Sequence, residues 1–322
     1  MTRRQREGSP WTGFSAVFLK ELADHLGSAR MRVLEWLVLL TGIAAVVAAI
    51  QDFRANSGQD PFLFLRLFTY AKDPLPAFVS LLSFLVPIVA IGLGFDAVNS
   101  EFARRTLGRV LAQPIYRDVL LFGKFLAGVA TLTISLLALW LLVFGLGLVL
   151  LGVAPSTEEA LRALTFLVIA IAYGAVWLAV AILFSVLFRS SATAALAALG
   201  VWLLFSILWP ILVPFAVRIL VPSELDLAFG IPSMEQLGLQ LSLSRLSPNT
   251  LFGESVLAVL NPGTRALGLV FPSQLRGAIP GAPLPFEQSL LLVWPQITGL
   301  IATAILLFAA TYVVFQRQEV RA

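Results

Sequence analysis

Apolar residues along this chain fall in long unbroken blocks rather than in the alternating pattern of half-buried strands. A helix needs about 20 apolar residues to cross a hydrocarbon core of roughly 30 Å. Six blocks meet that condition: Val33 to Ile50, Pro76 to Phe95, Phe125 to Val153, Leu164 to Phe188, Ala192 to Val217 and Ser289 to Phe315. Glu35 is the one charged side chain inside those limits. The pattern predicts an all-α integral membrane protein with six transmembrane helices. Pro210 or Pro214 is expected to break the fifth, since proline removes a backbone donor and kinks a helix.

Two further patterns flank these blocks. Ahead of the first, Trp11, Phe14, Phe18, Leu22 and Leu26 recur at three- and four-residue spacing, with Lys20, Glu21, Asp24 and His25 on the other side. That arrangement predicts an interfacial helix with its apolar face in the acyl boundary and its charged face in water. Between the fifth and sixth blocks, Met234 to Leu246 and Leu251 to Leu260 carry helical apolar faces within a segment rich in Pro, Gly and Ser. Short helices capping the outer mouth are expected there. The chain thus divides into a polar N-terminus (1–32), five spans (33–219), an outer helical segment (220–288), and a last span with its tail (289–322).

Composition supports the membrane reading. Of 322 residues, 59% are hydrophobic and 12% charged, against about 25% charged in a soluble domain; the mean hydropathy is +0.92. The net charge of +4 does not point to nucleic acid, because the basic residues flank apolar blocks. Arg3, Arg4, Arg6, Lys20, Arg30 and Arg32 precede the first block, and Arg104, Arg105, Arg109, Arg117 and Lys124 follow the second. Arg189 lies in the fourth-to-fifth turn, and Arg317 and Arg321 follow the last block. Positive-inside bias therefore predicts that both termini lie in the cytoplasm. The basic, amphipathic first thirty residues lack the apolar core of a signal peptide, so the first span is expected to be an uncleaved anchor.

The same inventory removes several chemistries. There is no cysteine and a single histidine, His25, expected to be a solvated helix residue. Thiolate sites, multi-imidazole zinc sites and a serine–histidine pair within the membrane cannot be built. Gly123-Lys124 lacks the upstream glycines and following Ser or Thr of a P-loop. No chain of ionisable groups crosses the spans as a proton relay would. Ser83, Thr131, Tyr173 and Gln296 are candidate pathway groups, though such residues more often join helices by hydrogen bonds.

Chemistry therefore points to the second-to-third connection, which holds Asn99, Glu101, Phe102, Arg104, Arg105, Thr106, Leu107, Leu111, Pro114 and Arg117 before Lys124. Asn99 or Ser100 can cap a short helix with Glu101 in its first turn, and Pro114 ends it. An amphipathic helix across the mouth of a bundle suits a partner's groove. Asp96, Glu101, Thr106-Leu107, Leu111, Pro114, Arg117 and Lys124 together resemble the coupling segment of ABC-2 type permeases, and "Phe18-Leu19-Lys20-Glu21-Leu22" resembles their elbow helix. The outer Ser247-Pro248 and Asn261-Pro262 are similar to a subgroup linked to copper-enzyme maturation or gliding motility. The resemblance implies two permease chains, most simply a homodimer, around a pathway. It also implies a separate cytoplasmic ATPase dimer, carrying ATP and Mg, that grips segment 97–114. The function implied is an ATP-driven exporter subunit, with no nucleotide or cofactor in this chain. The alternative is a mechanotransmitting or scaffolding subunit that acts on an extracytoplasmic protein.

Overall fold

The computed structural model describes residues 13–55, 62–70, 77–103, 117–152, 154–223, 226, 230, 232–267 and 283–317. Among them every regular element is helical: α1 (Phe14–Gly27), α2 (Ala29–Ala55), α3 (Leu63–Thr69), α4 (Phe78–Gly94) and α5 (Asn99–Ala103) open the chain. Then come α6 (Arg117–Leu151), α7 (Thr157–Leu187), α8 (Ser191–Leu203), a π-helical turn (Leu204–Leu208), α9 (Trp209–Leu220), α10 (Met234–Ser244), α11 (Pro248–Leu260) and α12 (Phe286–Arg317). Six helical stretches are long and apolar enough to span a membrane, and they coincide with the six blocks of the sequence. The protein is an all-α integral membrane protein.

The fourth span, α7, is the axis of the bundle. Its apolar residues run all the way round, which suits a helix enclosed by others. It packs against α4, α6, α8, α11 and α12. Backbones approach closely where side chains are small. A Cβ at Gly94 of α4 would lie 2.8 Å from the Ala181 Cβ and 3.1 Å from the Leu178 carbonyl oxygen of α7.

The N-terminus of α7 is built from a sequence-local signature. Ser156 and Glu159 form a capping box: Glu159 N–H donates to Ser156 Oγ at 3.2 Å, and Ser156 N–H donates to Glu159 Oε2 at 2.8 Å. The other oxygen of Glu159 accepts from the Phe64 N–H at 2.9 Å, so the cap also holds α3. One turn on, Arg162 is fully buried. It pairs with Glu158 at 2.8 Å and donates to the Val259 carbonyl, the Ser289 hydroxyl and the Leu284 carbonyl. One guanidinium thereby joins α7 to the end of α11 and the start of α12.

The fifth span breaks where a proline dictates, one turn earlier than the proline itself. Pro210 cannot donate to the carbonyl four residues back, at Ser206. The helix widens into a π turn over Leu204–Leu208 instead. Pro214 lies inside α9 without ending it. The π turn is bound by the start of the outer helix α11: Ser247 Oγ donates to the open Phe205 carbonyl at 3.2 Å, and Asn249 Nδ2 donates to the Ser206 hydroxyl at 2.6 Å. The cap is α10 and α11, close to the two stretches anticipated, with α11 opened three residues earlier by Pro248 at its first turn.

Both described chain ends lie at one end of the bundle. There Phe14 of α1 meets Phe122 of α6 with ring centroids 6.0 Å apart, and Phe122 meets Phe308 of α12 at 5.9 Å. Gln316 also donates to Asp118. The cap occupies the opposite end.

We expect Gly94→Leu to lower the melting temperature and the monodisperse yield in detergent, since overpacking a tight contact costs about 1–3 kcal/mol. Gly145→Leu, where an added Cβ meets nothing within 4 Å, should leave both unchanged in the same thermal-shift and size-exclusion measurements.

Candidate functional site

Of the predicted docking residues, Asn99, Glu101 and Phe102 are described; Arg104, Arg105, Thr106, Leu107, Leu111 and Pro114 lie outside the described residues, as does Trp11 of the elbow. Arg117 opens α6. The described part is the root of the connection, where the chain leaves the second span. It is tied to several elements of the bundle.

At its centre is Lys124, two turns into α6, with a side chain only 4% exposed. Its ammonium lies 2.8 Å from Glu21 of α1 and 2.8 Å from Glu101 of α5. Lys20 lies 2.9 Å from the same Glu21 oxygen and 3.2 Å from Asp24. The site is shaped by a small residue: a Cβ at Gly123 would meet Val17 Cγ1 at 2.8 Å, so α1 rests directly on α6 beside the lysine. The buried face of α1 is therefore Val17 and Glu21, four residues apart. Glu21, expected on the wet side, is buried because a buried cation faces it. Phe14 and Phe18 stack on each other at 5.9 Å, and Leu22 is half-buried.

The electrostatics follow from that geometry. Burial alone would raise the Glu21 carboxyl, but Lys124 and then Lys20 outweigh it and hold it below its ordinary 4.5. Burial likewise opposes the Lys20 charge, yet Glu21 and Asp24 outweigh it and raise Lys20 above 10.5. His25 is not the solvated group anticipated. It is half-buried, and burial, despite the attraction of Glu21, lowers it below 6.5.

Three further links converge on the same root. Arg30 of α2 holds Asp96 through both oxygens, at 2.8 and 3.3 Å, with its guanidinium 4.8 Å over the Phe95 ring. Ser185 of α7 accepts the backbone N–H groups of Val98 and Asn99 at 2.9 and 3.2 Å. That satisfies donors that a helix start would otherwise leave open. Asn99 is fully buried; its amide donates to the Phe95 carbonyl at 3.1 Å and its oxygen accepts from Ser191, the first residue of α8, at 2.8 Å. Asn99 therefore points into the bundle, and Phe102 packs on the core. Glu101 also binds inward, to Lys124. These side chains anchor the root of the segment.

The candidate pathway groups serve the other end. The Tyr173 hydroxyl lies 2.9 Å from the Ser83 carbonyl oxygen and 2.7 Å from Asn249 Oδ1 of α11. Gln296 donates to Glu254 of α11 at 2.8 Å, and Glu254 accepts from Arg245 Nε at 2.9 Å. Thr131 donates to the Ala127 carbonyl of its own helix at 2.8 Å. Tyr173 and Gln296 thus seat the cap, while the Ser83 hydroxyl, bonded to the Ser80 carbonyl at 2.8 Å, and Thr131 satisfy themselves within their own helices.

The sequence missed Glu21, Ser185 and Ser191 as parts of the root. Val17 and Glu21 at helical spacing beside the Gly123-Lys124 pair was the one available signal.

Comparison with known proteins places this geometry. The model for "ABC-2 family transporter protein" matches residues 15–320. The chain belongs to the ABC-2 transporter family. Among its relatives are two proteins named probable ABC transporter permease protein NosY. That of Pseudomonas aeruginosa is 31% identical over 198 residues, covering 59% of this chain and 66% of the relative. That of Stutzerimonas stutzeri is 31% identical over 194 residues, covering 58% and 64%. The matched stretch spans just under two thirds of each relative's own length. The clamp from Glu21 to Ser191 lies wholly within the family match, so it is part of the ABC-2 membrane unit.

Breaking a buried ion pair from one side costs about 3–5 kcal/mol, because the remaining charge is stranded. Lys124→Met is therefore expected to destabilise the ABC-2 chain far more than Arg30→Met, whose pair is one-third exposed and worth about 1 kcal/mol or less. Thermal melting of the two variants checks the order. The chain has no native cysteine, so a single Val17→Cys reports undocking of α1. Glu21 has a lowered folded pKa, so its contribution is complete above pH 4.5 and is lost as pH falls below that value. Labelling of Val17→Cys by a pyridyl disulfide, which reacts in acid, should be slow at pH 7 and accelerate below pH 4.5.

Proposed function

We propose that this ABC-2 chain is the transmembrane subunit of an ATP-driven exporter, powered by a separate ATPase dimer that binds ATP and Mg. The observation that carries the reading is the clamp at the root of the second-to-third connection. Asp96, Asn99 and Glu101 are held there by α2, α6, α7 and α8 at once, and Lys124 carries the tie on to α1. A partner that moved segment 97–114 would pull on a point already tied to most of the bundle, so displacement becomes rearrangement of spans rather than bending of a loop. On this reading both termini face the cytoplasm of a prokaryotic inner membrane, as the arginine distribution favours. The relatives' printed name, ABC transporter permease, supports the same role. A second copy would complete the pathway. The exposed Ile211, Phe215 and Ile219 of α9 are suited to such a chain or to lipid.

A second reading has one observation in its favour. Tyr173 and Gln296 are spent on seating the cap, which also grips the π turn of the fifth span through Ser247 and Asn249. Motion of the spans would then reach an extracytoplasmic protein through α10 and α11, without passage of a solute.

Docking and transmission separate in one experiment with a cognate P-loop ATPase. Arg105→Glu, on the expected docking face, should abolish co-purification. Lys124→Met should retain co-purification and lose stimulation of ATP hydrolysis. An Arg105→Glu variant that keeps full coupling sinks the docking assignment, and full stimulation in Lys124→Met sinks the clamp.

A further inference from the structure

A cavity of about 290 Å³ lies between α2, α4 and α6, toward the end that carries the chain termini. Ligand pockets begin at about this size. Leu26, Met31, Val38, Val89, Leu132 and Leu139 make its walls apolar. Ile134 lines it and is also exposed, so the cavity opens on the flank of the bundle rather than into the axis around α7.

Two polar groups break the apolar lining: Glu35 of α2 and Ser135 of α6, whose hydroxyl donates to Glu35 Oε1 at 3.0 Å. Glu35 stands six residues into α2, about 9 Å along the helix from its start. A carboxylate that lines an apolar cavity within a spanning helix normally pairs with a cation. Among the described residues no ion pair includes Glu35. Of the nearby cations, Arg30 is held by Asp96 and Lys124 by Glu21 and Glu101. Arg32, three residues before Glu35 on α2, is exposed to solvent and makes no ion pair with it. One hydroxyl bond leaves most of the acceptor capacity of a carboxylate unused.

We propose that this cavity is a lipid site that takes the primary ammonium of a phosphatidylethanolamine at Glu35 and Ser135, with an acyl chain along the apolar wall. Charge complementarity selects the head: an ammonium brings three donors and a positive charge to a carboxylate that pairs with none of the described cations. The quaternary head of phosphatidylcholine brings the charge without a donor and cannot make the hydrogen bonds. The opening on the flank selects a bilayer component over a solute from water. None of this requires the clamp to transmit force.

The test uses the full chain in nanodiscs of phosphatidylethanolamine and phosphatidylglycerol, with benzoylphenylalanine at Ala138 on the cavity wall. Ultraviolet crosslinking read by intact mass is expected to add one phosphatidylethanolamine. Exchanging that lipid for phosphatidylcholine, or introducing Glu35→Gln, should each lower the yield about tenfold, the loss of a charge-assisted bond. The lipid exchange leaves Glu35 in place, so it decides the matter even if Glu35→Gln folds poorly. Equal yields from the two lipids, an undiminished yield in a folded Glu35→Gln protein, or a crosslink to a second copy or another protein overturns the proposal.

Discussion

A buried ammonium must have its charge met, and the terminal end of this bundle is organised around that requirement at Lys124. Water is excluded from the group, so two carboxylates replace it. They come from separate places in the chain: Glu21 from the helix before the first span and Glu101 from the helix after the second. Satisfying one charge thereby fixes three elements to one another. Gly123 lets α1 come close enough for the pairing to happen. Remove the lysine and both carboxylates lose their reason to be buried.

The opposite end uses different means for the same purpose. Arg162 is also fully buried, but four acceptors from α7, α11, the segment before α12 and α12 itself meet its planar donors. The π turn forced by Pro210 exposes a carbonyl, and the cap helix α11 satisfies it. Each end therefore binds a non-spanning element to several spans through polar groups, while apolar and small residues pack the length between. This distribution matches a membrane interior. Apolar side chains gain little from leaving lipid, so close packing and a few satisfied polar groups supply the specificity.

The same physics marks Glu35 as different. Every other carboxylate discussed here meets a positive group or an amide in the fold, whereas among the described residues Glu35 meets a hydroxyl and an apolar cavity. Its partner is drawn from outside the chain on the proposal made above.

Much of this protein was legible in one dimension. The number of spans, their approximate limits and the all-α class follow from block length, because a bilayer demands a minimum apolar run and internal backbone pairing. The capping box at Ser156 and Glu159 and the break near Pro210 are equally local. The sequence also marked the connection after the second span through the order of Asp96, Glu101 and their neighbours, and it suggested family membership. Only tertiary structure decided what those residues touch. Glu21 and Lys124 are 103 residues apart and Asn99 and Ser191 are 92 apart. Periodicity within α1 placed Glu21 on a polar face, and nothing local could say that this face meets a buried cation. A pairing between distant segments is chosen by which helices pack, and helical packing is decided by the whole set of surfaces at once.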